Sequence, residues 1–360
     1  MLYNNKNIII KLITIESNTG TDRVINQLYN LLRRNYKVEK IVPSDNINMP
    51  LWLNSIIKKL PGKRLIYLLI KEYQIYFDAM NNDKKTIVIS FVYPLFGFFS
   101  ILNKFTNKYE YWYWIPDLIY KKKYSINLRW KMFSIFSDIG IKVCNKILVP
   151  SSSAQLDFLT FYSKKYYKKI ERLDGIIDTN YLDKIAPKKI DELFEKKYIF
   201  HPAGTKPNKN TKLAIEAFLE IDFKIDLIFV YIENSINSEK NKRYNLNDEK
   251  VIQLKDIDDS EMKWLYENCL FVSVVSIEEG IGLPILESMY YNKIVVTSQI
   301  SAMPETSGLN TIFVDPFSKA SIMRGYNYAY NIEKNGQINN RIHIYGDCLE
   351  NQIERLLKVK

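Results

Sequence analysis

The sequence predicts an α/β protein of two doubly wound domains, each a parallel sheet covered by helices, with a C-terminal helix closing the structure. Three observations predict it. Short apolar runs alternate with segments whose apolar residues recur at helical spacing, the pattern of strands and helices taking turns in a parallel sheet. The alternation occurs as two series separated by a charged stretch. The chain has 360 residues, 47% of them hydrophobic, which suffices for two domains of ordinary size with a core each.

The first series opens on the run Ile8 to Ile15, a buried strand, followed by a segment in which Val24, Leu28, Leu31 and Leu32 share one face. Thr86 to Phe91 and Lys146 to Pro150 are further strands, the second leading into a helix from Ser152 to Tyr162. The stretch from Ile87 to Leu102 is the most apolar in the chain, but Pro94 and Gly97 punctuate it and it is shorter than the ~20 residues of a spanning helix, so a strand, loop and helix are predicted. The opening run is too short for a signal-peptide core or a membrane span, and Lys11 interrupts it.

The second series supplies six strands: Tyr198 to Pro202, Asp226 to Tyr231, Val251 to Leu254, Leu270 to Val275, Lys293 to Thr297 and Thr311 to Val314. Between the series lies a charged, weakly periodic segment containing Pro187. The expected organisation is therefore a first domain over 1–182, a linker over 183–197, a second domain over 198–344 and a closing helix over 345–360. That helix would place Cys348, Ile353 and Leu356 or Leu357 on one face against a domain.

The formal charge is +11, from 51 Lys and Arg against 40 Asp and Glu, a field attractive to phosphate, nucleic acid or anionic lipid. The charge is spread along the chain and accompanies no nucleic-acid motif, which argues against a nucleic-acid partner despite 26 tyrosines that could act as stacking platforms. The three cysteines, Cys144, Cys269 and Cys348, lie far apart, with two histidines to help them, so neither a disulfide framework nor a zinc site is expected and a reducing cytoplasm fits. His201 and His343 are not placed like a general base. The cluster Lys121 to Tyr124 could touch an anionic membrane surface at the cytoplasmic face or be a solvated lysine face.

The most informative run is Ser276 to Met289, SIEEGIGLPILESM. It follows the apolar strand LFVSVV and leads into an amphipathic helix. Gly280 and Gly282 let the backbone approach a ligand, and the helix starting near Pro284 aims free N–H groups and its positive end at an anion. Glu279 in the loop and Glu287 a turn into the helix can face one pocket, and two carboxylates suit a polyhydroxylated ligand. The alternative is an ordinary glycine turn with solvated glutamates.

This run resembles the retaining GT-B glycosyltransferases, the large group (glycosyltransferase family 4, "glycosyl transferases group 1") that includes sucrose synthase and mannosyltransferases. Their pattern is two glutamates with seven residues between them around Gly-Phe-Gly-Leu-Pro, here Glu279, Gly280, Ile281, Gly282, Leu283, Pro284 and Glu287, with Ile281 in place of the Phe. The resemblance implies two Rossmann-like domains facing a cleft, with a nucleotide-sugar donor on the second and a saccharide or lipid-linked saccharide acceptor on the first. Glu279 would contact the sugar's hydroxyls, the amides around Ile281 to Leu283 would hold sugar and pyrophosphate, and Glu287 would bind the ribose.

HPAGTKPNKNTKLAIEAF, from His201 to Phe218, is similar to the group's strand, basic loop and helix, in which an Arg and a Lys neutralise the diphosphate. Lys209 sits on the lysine; the arginine is missing, with Lys206 or Thr205 as substitutes. SQISAMPETSG, from Ser298 to Gly308, resembles the loop that runs past the donor. In the first half, SNTGTDRVINQLYNLL keeps one glycine, Gly20, that would approach the phosphate, and Arg23 would reach phosphate or lie on an exposed helix face. Asp117 follows Pro116 where many members have a His. The resemblance implies no metal or other cofactor, since the diphosphate is held by basic side chains and amides and can itself take the acceptor's proton. Rival readings are a sugar-nucleotide epimerase on the same fold, a phosphorylase, for which no cofactor lysine context is present, and a non-catalytic partner subunit of a glycosyltransferase.

Overall fold

The computed structural model describes residues 7–14, 20–42, 55, 59, 63–91, 94–95, 97–118, 121, 128–174, 177, 179–233, 248–308, 310–334 and 355–357. Contacts divide the chain into two compact units, one of Met1–Pro150, Ala154–Asp174 and Glu350–Lys360, the other of Ser151–Ser153 and Gly175–Leu349.

The first unit holds a six-stranded sheet of β1 (Ile8–Ile13), β2 (Lys37–Ile41), β3 (Lys85–Phe91), β4 (Glu110–Trp114), β5 (Lys146–Val149) and β6 (Ile170–Arg172) in the order β2-β1-β3-β4-β5-β6. Every described pairing in it is parallel. Parallel strands need crossover helices, and these are α1 (Gly20–Leu32), α2 (Lys63–Met80), α3 (Phe98–Thr106), α4 (Leu128–Val143) and α5 (Ser152–Phe161). Alternate residues along each strand serve opposite cores. Ile13, Val88, Tyr111, Tyr113, Ile147 and Val149 pack with Leu68, Ile75 and Tyr76 of α2, Ile141 of α4 and Phe158 of α5, so these helices share one face. On the other side Ile10, Ile89, Trp112 and Leu148 meet Leu28 and Leu32 of α1. Burial on both faces is why the inner strands read as unbroken apolar runs.

Leu356 and Leu357 complete that second core, and Lys146 Nζ donates to the Leu356 carbonyl at 2.7 Å. The expected closing helix is helical over 355–357 and packs on the first unit, while Cys348, Ile353 and the rest of it lie outside the described residues.

The second unit holds β7 (Lys197–His201), β8 (Leu227–Glu233), β9 (Val251–Lys255), β10 (Phe271–Val274), β11 (Val295–Ser298) and β12 (Thr311–Val314) in the order β12-β11-β10-β7-β8-β9. Its helices are α6 (Thr179–Lys184), α7 (Thr211–Leu219), α8 (Asp259–Asn268), α9 (Leu283–Tyr290), α10 (Met303–Thr306) and α11 (Lys319–Lys334). Helix α8 starts where it does because Asp258 and Glu261 form a capping box, each carboxylate accepting from the other's backbone N–H. The six strands predicted for this half are all present. The segment expected as linker is not a bare tether: α6 reaches Lys184, and Leu193, in a 3₁₀ turn over Asp191–Leu193, is buried in the core with Tyr198, Phe200 and Val230.

In both sheets the strand order reverses once, between β1 and β3 and between β7 and β10. At such a switch point the loops leaving the two strands diverge to opposite faces and open a crevice at the carboxyl ends, where ligands of open α/β sheets bind. No helix among the described residues is long and apolar enough to cross a membrane.

Candidate active site

The switch point of the second sheet is flanked by the loops after β7 and β10; of the predicted donor residues, Thr205, Lys206, Lys209 and Glu279 to Gly282 lie on these loops, and Leu283 and Glu287 lie on α9. After β7 the chain makes a 3₁₀ turn, Pro207–Lys209, ending on Asn210 in the left-handed conformation (φ 58°). After β10 it runs from Val275 to Gly282, also left-handed (φ 79°), and enters α9. Hydrogen bonds lace the loops together. The Ile277 N–H donates to the Asn208 carbonyl at 2.8 Å, Asn208 Nδ2 to the Glu278 carbonyl at 3.2 Å and Asn210 Nδ2 to the Val275 carbonyl at 3.1 Å. Ser298 Oγ at the end of β11 donates to the Ser276 carbonyl at 2.6 Å.

On this frame Lys209 Nζ donates to Glu279 Oε1 at 2.5 Å, and Ser276 Oγ donates to the same oxygen at 2.7 Å. Among the described residues no protein group donates to Oε2, so one carboxylate oxygen remains for a ligand. Ser301 fixes the backbone at that point, accepting from the Glu279 N–H at 3.1 Å and donating to its carbonyl at 2.8 Å. The N–H groups of Ile281, Gly282 and Leu283 donate to no described residue. Three consecutive amides at a left-handed turn into a helix N-terminus make a concave anion site, helped by the helix dipole.

The second half is similar to the Glycosyl transferases group 1 family. That family model matches residues 183–347, which contain both loops. No curated protein matches the chain in sequence. Among solved structures, sucrose-phosphate synthase from Thermosynechococcus elongatus superposes with a TM-score of 0.69 at 14% identity, covering 97% of this chain and 98% of that one. The catalytic domain of starch synthase IV from Arabidopsis thaliana, bound to ADP and acarbose, gives 0.66 at 12% identity, with 99% and 96% covered. HepE from Anabaena, in complex with UDP-glucose, gives 0.63 at 13% identity, with 98% and 100% covered. The two-sheet α/β architecture is that of the GT-B fold.

Within the matched region Glu287 is buried on α9, where its carboxylate accepts from Tyr266 Oη at 2.7 Å. Thr205 is buried with its hydroxyl and its N–H both donating to Glu233 Oε2, at 2.5 and 3.0 Å. Its side chain is thus engaged inward, whereas Lys206, the other candidate for the arginine's place, is exposed. Glu233, buried at the end of β8, was not singled out in the sequence, which carries no local mark of it. The loop Ser298 to Gly308 contributes Ser298, Ser301 and Thr306, whose hydroxyl donates to the Ile281 carbonyl, as backbone supports of the loop after β10.

His201 is fully buried at the end of β7, its Nε2 3.0 Å from Thr211 Oγ1 and its Nδ1 3.4 Å from Ser273 Oγ, which bonds Tyr326 Oη at 2.7 Å. Burial lowers its pKa to about 3, so it is neutral near pH 7 and packs as a core residue. Among the described residues no group of three His, Cys, Asp or Glu side chains could hold a metal ion.

In the first sheet Gly20 is the first residue of α1, which follows β1 at that sheet's switch point. The side chain of Arg23 and residues 15–19 of the preceding loop lie outside the described residues. Asp117 is half-buried three residues beyond β4. His343 is also outside the described residues.

Proposed function

We propose that the chain is a retaining glycosyltransferase that moves a hexose-type sugar from a nucleotide-sugar donor to a saccharide or lipid-linked saccharide, in surface polysaccharide synthesis at the cytoplasmic face of a membrane. The observation that carries this reading is the pairing of Lys209 with Glu279 beside three unengaged amides at the second sheet's switch point, within the region similar to the glycosyl transferases group 1 family.

The chemistry follows from the two charges. A donor diphosphate entering the anion site competes with the Glu279 carboxylate for Lys209. When it wins, Lys209 neutralises the leaving group and Glu279 is released to accept hydrogen bonds from the sugar's hydroxyls. Glu287, Lys206 and the amides of Gly280 to Leu283 hold the nucleotide, and Thr205 positions Lys206. In the reaction the bond from the anomeric carbon to the diphosphate oxygen breaks. A bond to the acceptor oxygen forms on the same face, and the acceptor's proton passes to the departing diphosphate. No strong protein base is required, which suits a site whose nearby histidine is buried and neutral; the protein's share is positioning and charge stabilisation. Gly20 would approach the phosphates, while Arg23 and Asp117 would serve the acceptor side.

The test is incubation with a panel of nucleotide sugars and simple saccharides, followed by NMR of the product's anomeric centre. An α-linked donor giving an α-linked product supports the proposal; a β-linked product contradicts retention. An epimerised nucleotide sugar would identify an epimerase, and no binding of any nucleoside diphosphate would indicate a non-catalytic partner.

A further inference from the structure

On the helical face of the first domain, α2 exposes Leu69, Tyr73, Phe77 and Met80, which recur every three or four residues and form one stripe. The neighbouring α3 exposes Phe98, Ile101 and Phe105 at the same spacing, with Phe98 69% and Phe105 77% accessible. Phe99 joins the stripes, its ring 5.1 Å from Tyr73 and 5.4 Å from Phe98, while Tyr73 lies 4.5 Å from Phe77. The result is one continuous aromatic surface across two helices. Soluble monomers rarely leave contiguous apolar area of this kind open to water unless it meets a partner.

The charge around it selects the partner. Lys104 and Lys108 are exposed beside α3; Lys131 and Lys142 are exposed on α4, which also exposes Met132 and Ile135; Lys164, Lys165 and Lys168 are exposed just after α5. The acidic side chains of α2, α3 and α4 are spoken for. Glu72 is buried and accepts from the Gly97 N–H and Ser100 Oγ at the start of α3, Asp78 pairs with Lys11, and Asp138 pairs with Lys121. An apolar aromatic face with exposed Lys104 and Lys108 at its edge is the chemistry of a helix lying in the interface of an anionic bilayer, rings at the acyl boundary and ammonium groups at the headgroups. A second copy of this chain would bring like charges together.

We propose that the α2–α3 face docks the first domain on a bilayer containing anionic lipid. Of the cluster Lys121 to Tyr124, Lys121 is held by Asp138 at 2.6 Å and lies over the Tyr162 ring at 5.1 Å, and residues 122–124 are outside the described residues. Docking rests on the proposed reaction only for its purpose, the capture of a lipid-linked acceptor.

The experiment is co-sedimentation with vesicles of phosphatidylcholine alone and of phosphatidylcholine mixed with phosphatidylglycerol. The wild-type protein should sediment with the anionic vesicles, bind the neutral ones more weakly, and be released as salt shortens the screening length. Phe98→Ser/Phe105→Ser should lower the partition coefficient about tenfold or more, because each exposed ring no longer leaves water, while the melting temperature stays unchanged. Lys104→Gln/Lys108→Gln should erase much of the preference for anionic vesicles and keep residual binding. Unchanged vesicle binding in the Phe variant overturns the proposal, as does a concentration-dependent dimer in vesicle-free buffer that this variant abolishes. Nucleoside diphosphate binding, measured alongside, separates the two ideas: intact nucleotide binding without vesicle binding sinks the docking face alone, and the converse sinks the donor site alone.

Discussion

Lys209 and Glu279 are 70 residues apart in sequence and 2.5 Å apart in space, and each belongs to a loop leaving one of the two strands that flank the second sheet's switch point. Their side chains are largely buried, 24% and 12% accessible, so the pair is shielded from the screening that weakens surface ion pairs. A diphosphate is a stronger acceptor for the lysine than one carboxylate, and this exchange underlies the first expectations.

Lys209→Met should weaken nucleoside diphosphate binding about ten- to hundredfold, the loss of one charge-assisted contact worth ~1.5 to 3 kcal/mol. Glu279→Gln should leave that affinity unchanged or tighten it, because the competing carboxylate is gone. Isothermal titration of both variants checks the pair. Weaker binding in Glu279→Gln would show that the carboxylate orders the lysine and does not compete with the ligand.

Glu287 is buried against Tyr266 Oη, so its effect on nucleotide binding must be separated from its effect on packing. Tyr266→Phe removes the internal hydrogen bond and keeps the carboxylate; it should cost stability and spare nucleotide affinity. Glu287→Gln should do the reverse, weakening nucleoside diphosphate binding with a smaller change in melting temperature. Equal affinity losses in the two variants would make Glu287 a packing residue.

Gly282 adopts φ 79°, and a Cβ there would also lie 3.1 Å from Ile285 Cδ1. Gly282→Ala should destabilise the second domain by ~1 to 2 kcal/mol through the left-handed backbone alone, lowering its melting temperature by about 2 to 4 °C for each kcal/mol. Nucleotide affinity should fall with it, because the amides of Ile281 to Leu283 are aimed by that turn. Calorimetry with and without nucleoside diphosphate reads both effects.

His201 supplies a pH signature. Burial holds its folded pKa at about 3, below the ordinary 6.5, so the unfolded chain binds a proton that the folded one refuses. Its contribution is fully present above pH 6.5 and is lost as pH falls toward 3, with a slope approaching ~1.4 kcal/mol per pH unit for one proton. His201→Gln should flatten the acid limb of the stability curve between those limits without shifting the pH profile of sugar transfer. A shifted activity profile would give this histidine a role in the reaction.

The sequence made the second domain legible because its inner strands are buried on both faces and appear as apolar runs such as LIFV at the start of β8. The strands of the first sheet that escaped notice have other compositions. β2, with Lys37, Glu39 and Lys40, and β6, three residues long, are the two edges, where charge and shortness guard an open ladder. β4 is central but reads EYWYW, an aromatic run without the aliphatic signal. At the site, the run from Glu279 to Glu287 was readable because glycine, proline and a helix start leave local marks. The bond from Thr205 to Glu233 was not: it joins residues 28 apart, one on the loop after β7 and one at the end of β8, and local sequence carries no trace of such a pairing.

The most direct test of the donor site is Glu279→Ala, measured twice on one preparation, by titration with nucleoside diphosphate and by turnover of the intact nucleotide sugar. The account predicts nucleoside diphosphate affinity near that of the wild type and turnover reduced about a hundredfold, because the carboxylate's contacts are to the sugar and strengthen as the glycosidic bond breaks. Circular dichroism and melting must match the wild type. Full transfer activity in Glu279→Ala would contradict the assignment and return the glutamate pair to an ordinary glycine turn with no part in the reaction.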